Sequence, residues 1–319
     1  MLQDTVARLE PFLDWKDIYV VCGQNHVGQV RAQLDGIGED QVIVEPFSRN
    51  TALCVALGSY YLNTQFGDEV VATLPADHVI QDVKEFHRVL SVGKELAQQG
   101  WLVTFGIKPS YPSTGYGYMK QGESLGEFDD CQAFRVDHFS EKPDRTMAQE
   151  FLREGSYFWN SGMYMWTLEC ILAEIRIHMP ELGHGLEEMD RKREDSARFE
   201  DIFSKLPSIS IDDGVMAKSR KVAMLPCHLG WNDLGSWAGL GEVCDSDDNG
   251  ITANSEYLNI DSQDCIVYSS EGKLGALVGV NNLIVVETKD ALLICDRGRV
   301  EDVKYVVERL KKDGREEYL

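Results

Sequence analysis

Short, uninterrupted apolar runs alternate along the chain with stretches in which apolar residues recur every three or four positions. Residues 18–22, 70–74 and 102–105 are apolar runs of strand length, and 42–44 is a shorter one closed by Glu45 and Pro46. Leu2, Val6, Leu9 and Leu13 mark an amphipathic opening helix, and 27–34, 51–63 and 84–99 predict three more. The helix at 51–63 is apolar on most faces, which places it inside the molecule. Continuous apolar strands alternating with helices predict an α/β fold with a mostly parallel sheet covered on both faces. Farther along, 134–139 and 163–166 read as strands, and 145–154 and 168–179 as helices. The charged stretch 186–199 reads as a solvated helix face.

The pattern changes near residue 244. Residues 245–250 are polar and turn-rich, a linker by composition. Beyond them come five short strands (257–260, 265–268, 276–278, 283–287 and 292–295) and a last helix at 303–312. The expected organisation is a large α/β domain over 1–244 and a small β-rich domain over 251–319.

Composition narrows the class. With 319 residues, 43% hydrophobic and 26% charged, the chain reads as an ordinary soluble globule that needs no disulfide staples. The 53 acidic and 31 basic side chains give a net charge of −22, which repels phosphate backbones and argues against a nucleic-acid partner. A small anionic substrate would need compensation from a metal or from a few placed cations. The eight cysteines stand singly with no C-x-x-C pair, as free thiols of a reducing compartment do. No run approaches the ~18 apolar residues of a membrane span, and the N-terminus has no secretory layout. A cytoplasmic protein with no membrane partner is expected.

Ligands of open α/β sheets gather where strands end. The segment 45–51 leads from a strand into a helix, where Arg49, Asn50, Thr51 and uncovered N–H groups suit a nucleotide as well as simple capping. Asp77, after the strand at 70–74, suits a metal ligand or a turn. His78 beside it reads as a structural hydrogen-bonder. Gly115, Tyr116 and Gly117 let backbone and rings approach a sugar. Glu141 and Lys142 set a hydroxyl acceptor beside a cation, and Asn160 and Gly162 add a donor–acceptor and an open backbone. Asp233, between glycines and tryptophans, could join Asp77 on one Mg²⁺.

In order and spacing, EPFSRNTA (45–52), LPADHVI (74–80), FGIKPSYPSTGYGY (105–118), FSEKPD (139–144), WNSGMY (159–164), SISID (208–212) and GWNDLGSW (230–237) resemble the mannose-1-phosphate guanylyltransferases of the short bacterial type. The tail piece NLIVVETKDALLIC (282–295) resembles the family's C-terminal domain. The resemblance implies a Rossmann-like, GT-A-like nucleotidyltransferase sheet followed by a small left-handed β-helix-like domain. It implies that GTP and mannose 1-phosphate yield GDP-mannose and pyrophosphate with Mg²⁺, in a homodimer. By matching motifs, Asp77 and Asp233 would hold the metal and Lys142 the sugar phosphate. Glu141, Asn160, Gly162 and the Gly115–Tyr116–Gly117 turn would face the mannose, and Arg49, Asn50 and Thr51 the nucleotide.

Family members open with a strand and a G-G-x-G-x-R-x-x-P loop around the GTP phosphates. Here Met1 already matches the helix that follows that loop, and the glycine pair Gly23 and Gly28 is no substitute, since it lacks the P-loop Lys-Ser/Thr. The expectation is a chain truncated at its first strand and impaired in turnover, with apolar strand edges left bare. Two other readings stay open: a non-catalytic sugar-nucleotide-binding or regulatory subunit, and a pyrophosphorylase for another nucleotide sugar. A smaller departure is Asp213 and Ala217, where the family usually carries an aromatic residue and Glu.

Overall fold

In the computed structural model, which describes residues 1–10, 12–191 and 195–318, most elements expected from the apolar pattern form, and local chemistry sets their ends. The chain divides into two units, Met1–Trp231 and Asn232–Leu319.

Unit 1 contains, in chain order, α1 (Leu2–Ala7), β1 (Val20–Gly23), α2 (Val27–Gln33), β2 (Val42–Glu45), α3 (Asn50–Phe66), β3 (Val70–Thr73), α4 (Val83–Gln98), β4 (Leu102–Ile107), β5 (Tyr118–Phe128), β6 (Cys131–Ser140), α5 (Arg145–Glu154), β7 (Tyr157–Thr167), α6 (Leu168–His178), α7 (Pro180–Arg191), α8 (Ser196–Lys205) and β8 (Val222–Cys227). Part of the charged stretch, 192–194, lies outside the described residues. Asp82 caps α4, its carboxylate accepting from the Glu85 N–H at 2.9 Å, and the helix buries Phe86, Val89, Leu90, Gly93, Leu96 and Ala97 along one stripe. Gly155, at φ +74°, ends α5 in the left-handed conformation a C-cap requires.

Six strands form one sheet in the order β3-β7-β4-β8-β6-β5, with β7 also pairing β5. The sheet is mixed, as expected, but "mostly parallel" needs correction. β3, β4, β5 and β8 run one way, yet only β4 and β8 bond to each other in parallel. The cause is β7, which is inserted antiparallel between β3 and β4, and β6, antiparallel between β8 and β5. β1 and β2 make a separate parallel pair, and among the described residues β1 and β3 each bond on one side only.

Alternate residues of β7 feed two cores. Met163 and Met165 face α4 with Val103 and Phe105, whereas Tyr164 and Trp166 face α3 and α6 with Leu53, Ile171 and Ile175. The alternation is broken once. A two-residue advance along β4, from Thr104 to Gly106, is matched by a four-residue advance along β7, from Tyr164 to Asn160. This bulge carries Ser161, Gly162 (φ +70°) and Met163, and it returns Asn160 to the neighbourhood of Tyr164 and Thr104.

Unit 2 contains α9 (Trp237–Val243), β9 (Thr252–Ala253), β10 (Tyr257–Ile260), β11 (Ile266–Ser269), β12 (Gly275–Val278), β13 (Leu283–Glu287), β14 (Leu292–Asp296) and α10 (Val303–Lys312). β9, β11 and β13 stack in parallel as one face of a coil, β10 and β12 as another, and β14 closes the first face antiparallel. The unit begins before the boundary expected at 244 because α9 packs on β11, with Trp237 and Tyr268 rings 5.0 Å apart. All eight cysteines are free thiols. Among the described residues, no helix is long and apolar enough to cross a membrane.

Candidate active site

The sequence segments singled out in unit 1 converge on the β7 bulge. Asn160 donates its backbone N–H to the Gly117 carbonyl at 2.8 Å, which joins β7 to the Gly115–Tyr116–Gly117 turn. A Cβ on Gly117 would stand 2.7 Å from Glu141 Oε2 and 3.6 Å from Asn160 Cβ. Glycine therefore lets the turn come this close to Glu141 and Asn160, and the three segments share one pocket. A Cβ on Gly162 would lie 3.7 Å from the His78 ring and 3.8 Å from Pro75, so the bulge also abuts the turn that carries Asp77.

That turn is held from two sides. Thr5 Oγ1 donates to the Ala76 carbonyl at 3.3 Å and Arg8 Nη2 to the His78 carbonyl at 2.7 Å, so α1 and the residue capping it grip the peptides on either side of Asp77. Trp231 Nε1 donates to His78 Nδ1 at 3.1 Å, which makes His78 the structural acceptor expected of it. The Trp231 ring also meets Tyr116 at 5.2 Å, and Tyr116 meets Trp159 at 5.0 Å. An aromatic chain thus ties the Asp77 turn to the glycine turn.

Lys142 adopts φ +42° and points its ammonium to within 3.3 Å of Glu141 Oε1, with 63% of its side chain exposed and open to an anion. Burial pushes the Glu141 carboxyl up from its ordinary value; the charge of Asp212 adds to this and Lys142 opposes it. Asp212 opens a π-helical turn, Asp212–Met216, a form frequent at functional sites. Its Oδ1 accepts from Asn160 Nδ2 at 2.7 Å and from the Tyr164 hydroxyl in a short contact. Burial raises its pKa as well, against the pull of the Tyr164 and Asn160 donors.

The structure does not bring Arg49 or Thr51 into this pocket as free groups. Arg49 Nη1 donates to the Ser204 carbonyl, and Thr51 Oγ1 accepts from the Ile211 N–H at 2.9 Å. Both side chains brace the segment leading to Asp212. Asn50 is exposed, takes φ +66° and caps the Thr51 N–H at 2.8 Å. Asp233 belongs to unit 2, where its Oδ1 accepts from the Gly235 N–H at 3.0 Å. Among the described residues no group of three or more His, Cys, Asp or Glu side chains could hold a metal by itself.

Two residues central to the pocket, Tyr164 and Asp212, were absent from the sequence-derived site. The SISID motif (208–212) ends on Asp212, but nothing local ties a residue to a partner 52 positions away.

Comparison with known proteins bears on this geometry. Residues 1–249 match the nucleotidyl transferase family, and residues 255–310 match the MannoseP isomerase/GMP-like beta-helix domain. The chain is 37% identical over 331 residues to the mannose-1-phosphate guanylyltransferase of Salmonella montevideo, covering 100% of this chain and 68% of that one. The chain belongs to the mannose-1-phosphate guanylyltransferase family. Another relative, the xanthan biosynthesis protein XanB of Xanthomonas campestris pv. campestris (strain B100), is 38% identical over 99% of this chain and 67% of its own. A Thermus thermophilus structure, described as a mannose-1-phosphate geranyltransferase, superposes with a TM-score of 0.84 at 30% identity, covering 97% of this chain and 89% of that one. The coil of unit 2 is accordingly the family's beta-helix domain, as the sequence led one to expect.

Proposed function

We propose that the chain transfers a guanylyl group from GTP to mannose 1-phosphate, forming GDP-mannose and pyrophosphate. The observation that carries the reading is the meeting of Gly117, Glu141 and Asn160 beside the Asp77 turn, in a chain whose relatives bear that activity as their name. An oxygen of the sugar phosphate attacks the α-phosphorus of GTP in line; one P–O bond forms and the bond to the departing pyrophosphate breaks. Such a transfer is mostly positioning and charge stabilisation.

Lys142 holds the phosphate of mannose 1-phosphate. Glu141, Asn160, Gly162 and the Gly115–Tyr116–Gly117 turn line the mannose side. Asn50 is the member of its segment left to meet the nucleotide, while Arg49 and Thr51 brace the wall behind it. Mg²⁺ suits the donor chemistry, since Asp77 offers an exposed carboxylate and this ion takes one or two carboxylates, phosphates and waters rather than an all-protein cage. When bound it offsets the charge of the reacting phosphates. Asp77 is proposed as its ligand on the strength of its motif, LPADHVI (74–80).

The test combines calorimetric titration of the full chain with mannose 1-phosphate and an assay of GTP, mannose 1-phosphate and Mg²⁺ for pyrophosphate and GDP-mannose. Saturable binding with equal yields of both products supports the reading. Binding without products would leave a sugar-phosphate-binding subunit, and products from another sugar phosphate only would move the chain to another nucleotide sugar.

A further inference from the structure

The groups that orient a metal-binding carboxylate matter nearly as much as the carboxylate itself. Asp77 is exposed on a turn, and among the described residues the strand that delivers it, β3, bonds to a neighbour on one side only. The other brace is α1 with its capping residue. Thr5 is 7% exposed; its hydroxyl donates to the Ala76 carbonyl at 3.3 Å and accepts from Arg8 Nη2 at 3.1 Å. The second N–H of Arg8 Nη2 goes to the His78 carbonyl at 2.7 Å, and Nε donates to the Asp4 carbonyl at 3.2 Å, which ties the guanidinium plane to its own helix. Residue 8 also binds through its backbone, its carbonyl accepting from His87 Nε2 on α4 at 2.6 Å. The carbonyls before and after Asp77 are thus held by two side chains three positions apart, neighbours on a helix surface, and α1 is fastened to the helix that follows the turn.

We infer that Arg8 and Thr5 are positioning residues for Asp77: by holding the peptides on either side of it they aim its carboxylate, and so set how tightly the chain holds the divalent ion that accompanies GTP. The inference rests on the reading of Asp77 as the Mg²⁺ ligand and deepens it. A turn fixed beforehand loses less freedom when the ion binds, which is the general source of affinity by preorganisation. Arginine suits the task, because its planar fork meets several acceptors at once and loses less freedom per hydrogen bond than lysine does.

Mn²⁺ in place of Mg²⁺ gives a readout apart from turnover, since water-proton relaxation rises when Mn²⁺ and GTP are held together on the slowly tumbling full chain. Arg8→Met keeps an apolar stem and removes the donors; Thr5→Val keeps the shape and removes the hydroxyl. Each should weaken the Mn²⁺–GTP complex about 10-fold, the lower end of the range for residues that orient a metal ligand. Thr5→Ser, which restores the hydroxyl, should stay within about 2-fold of the unsubstituted chain, as should the mannose 1-phosphate affinity of all three variants and their GTP affinity in EDTA, the scatter of sites that share no partner. Normal Mn²⁺–GTP binding by Arg8→Met and Thr5→Val would overturn the inference. So would a loss of GTP affinity in EDTA, which would make Arg8 a direct phosphate contact, or an equal loss of mannose 1-phosphate affinity, which would make the clamp a general support of the fold. An Asp77→Asn chain that holds Mn²⁺ and GTP normally would instead remove Asp77 from the metal, and the positioning role with it.

Discussion

Gly117→Ala tests the pocket with a single methyl group. Its Cβ would stand 2.7 Å from Glu141 Oε2 and 3.4 Å from the Phe139 ring, and only the first distance is prohibitive. The clashing atom is the far end of a flexible side chain, a third of which is exposed, so Glu141 can swing aside. The cost in stability should therefore stay below the ~1–3 kcal/mol of a true overpacking substitution. Binding is another matter, because the displaced carboxylate is the proposed hydroxyl acceptor. Loss of one hydrogen bond to a charged group is worth roughly 1.5–3 kcal/mol, or about 10- to 100-fold in the dissociation constant of mannose 1-phosphate. Calorimetric titration and thermal unfolding of the same preparations measure both quantities. The decisive comparison is a cycle with Glu141→Gln: if the methyl group acts by moving Glu141, it adds little once that carboxylate is gone. Additive losses in the double variant, or a large drop in melting temperature with normal binding, would refute the account of the pocket.

Other consequences are as direct. Asp77→Asn should leave the melting temperature nearly unchanged, since the side chain is exposed, yet abolish Mg²⁺-dependent formation of GDP-mannose; turnover near normal would remove Asp77 from the metal. Gly106→Ala should destabilise the fold by about 1–3 kcal/mol, because its Cβ would lie 2.6 Å from Met224 Sδ and 3.2 Å from Phe158 Cβ inside the sheet; denaturant unfolding reads this. Ionised, Glu141 accepts from sugar hydroxyls through both oxygens as a charged acceptor, and burial raises its pKa. Mannose 1-phosphate affinity should thus weaken on acidification from a pH higher than an ordinary glutamate would set, and Glu141→Gln should remove that step, leaving only the titration of the phosphate. Asp212, also raised by burial, binds protons more tightly folded than unfolded. Its contribution favours the folded state at low pH and is lost as pH rises from the usual 3.8 through the shifted value; Asp212→Asn should flatten that part of the stability profile.

The sequence made several helices and strands legible because their patterns are regular. α5, α10, β10 and β13 lie where the apolar periodicity put them. It hid β8, since Pro226 argues against an interior strand. The structure resolves this on one side: β6 pairs with β8 only at Met224 and Ala223, short of Pro226, while β4 runs past it in parallel through Gly106. It also hid β5, where three register irregularities against β6 break any alternation. β7 was legible only at 163–166, because the bulge destroys the period just where Asn160 sits. Glu141, Asn160, Gly117 and Gly162 were legible as residue types at strand ends, and the fold gathers them. Asp212 and Tyr164 were not, because their roles exist only across the sheet. Arg49 and Thr51 advertise ligand chemistry in sequence but spend it on the segment at 204–211.

The antiparallel return of β14 matters for what the small unit cannot become. A coil of parallel rungs has an end that looks like every other rung, and nothing in its hydrogen bonding says where to stop. β9, β11 and β13 would present such an end to any neighbour in the same register. The turn at 288–291, closed by the Thr288 N–H to the Ala291 carbonyl at 2.9 Å, folds the chain back so that β14 occupies that edge in the opposite sense. One four-residue reversal thus takes the parallel edge of β13 away from any neighbouring chain.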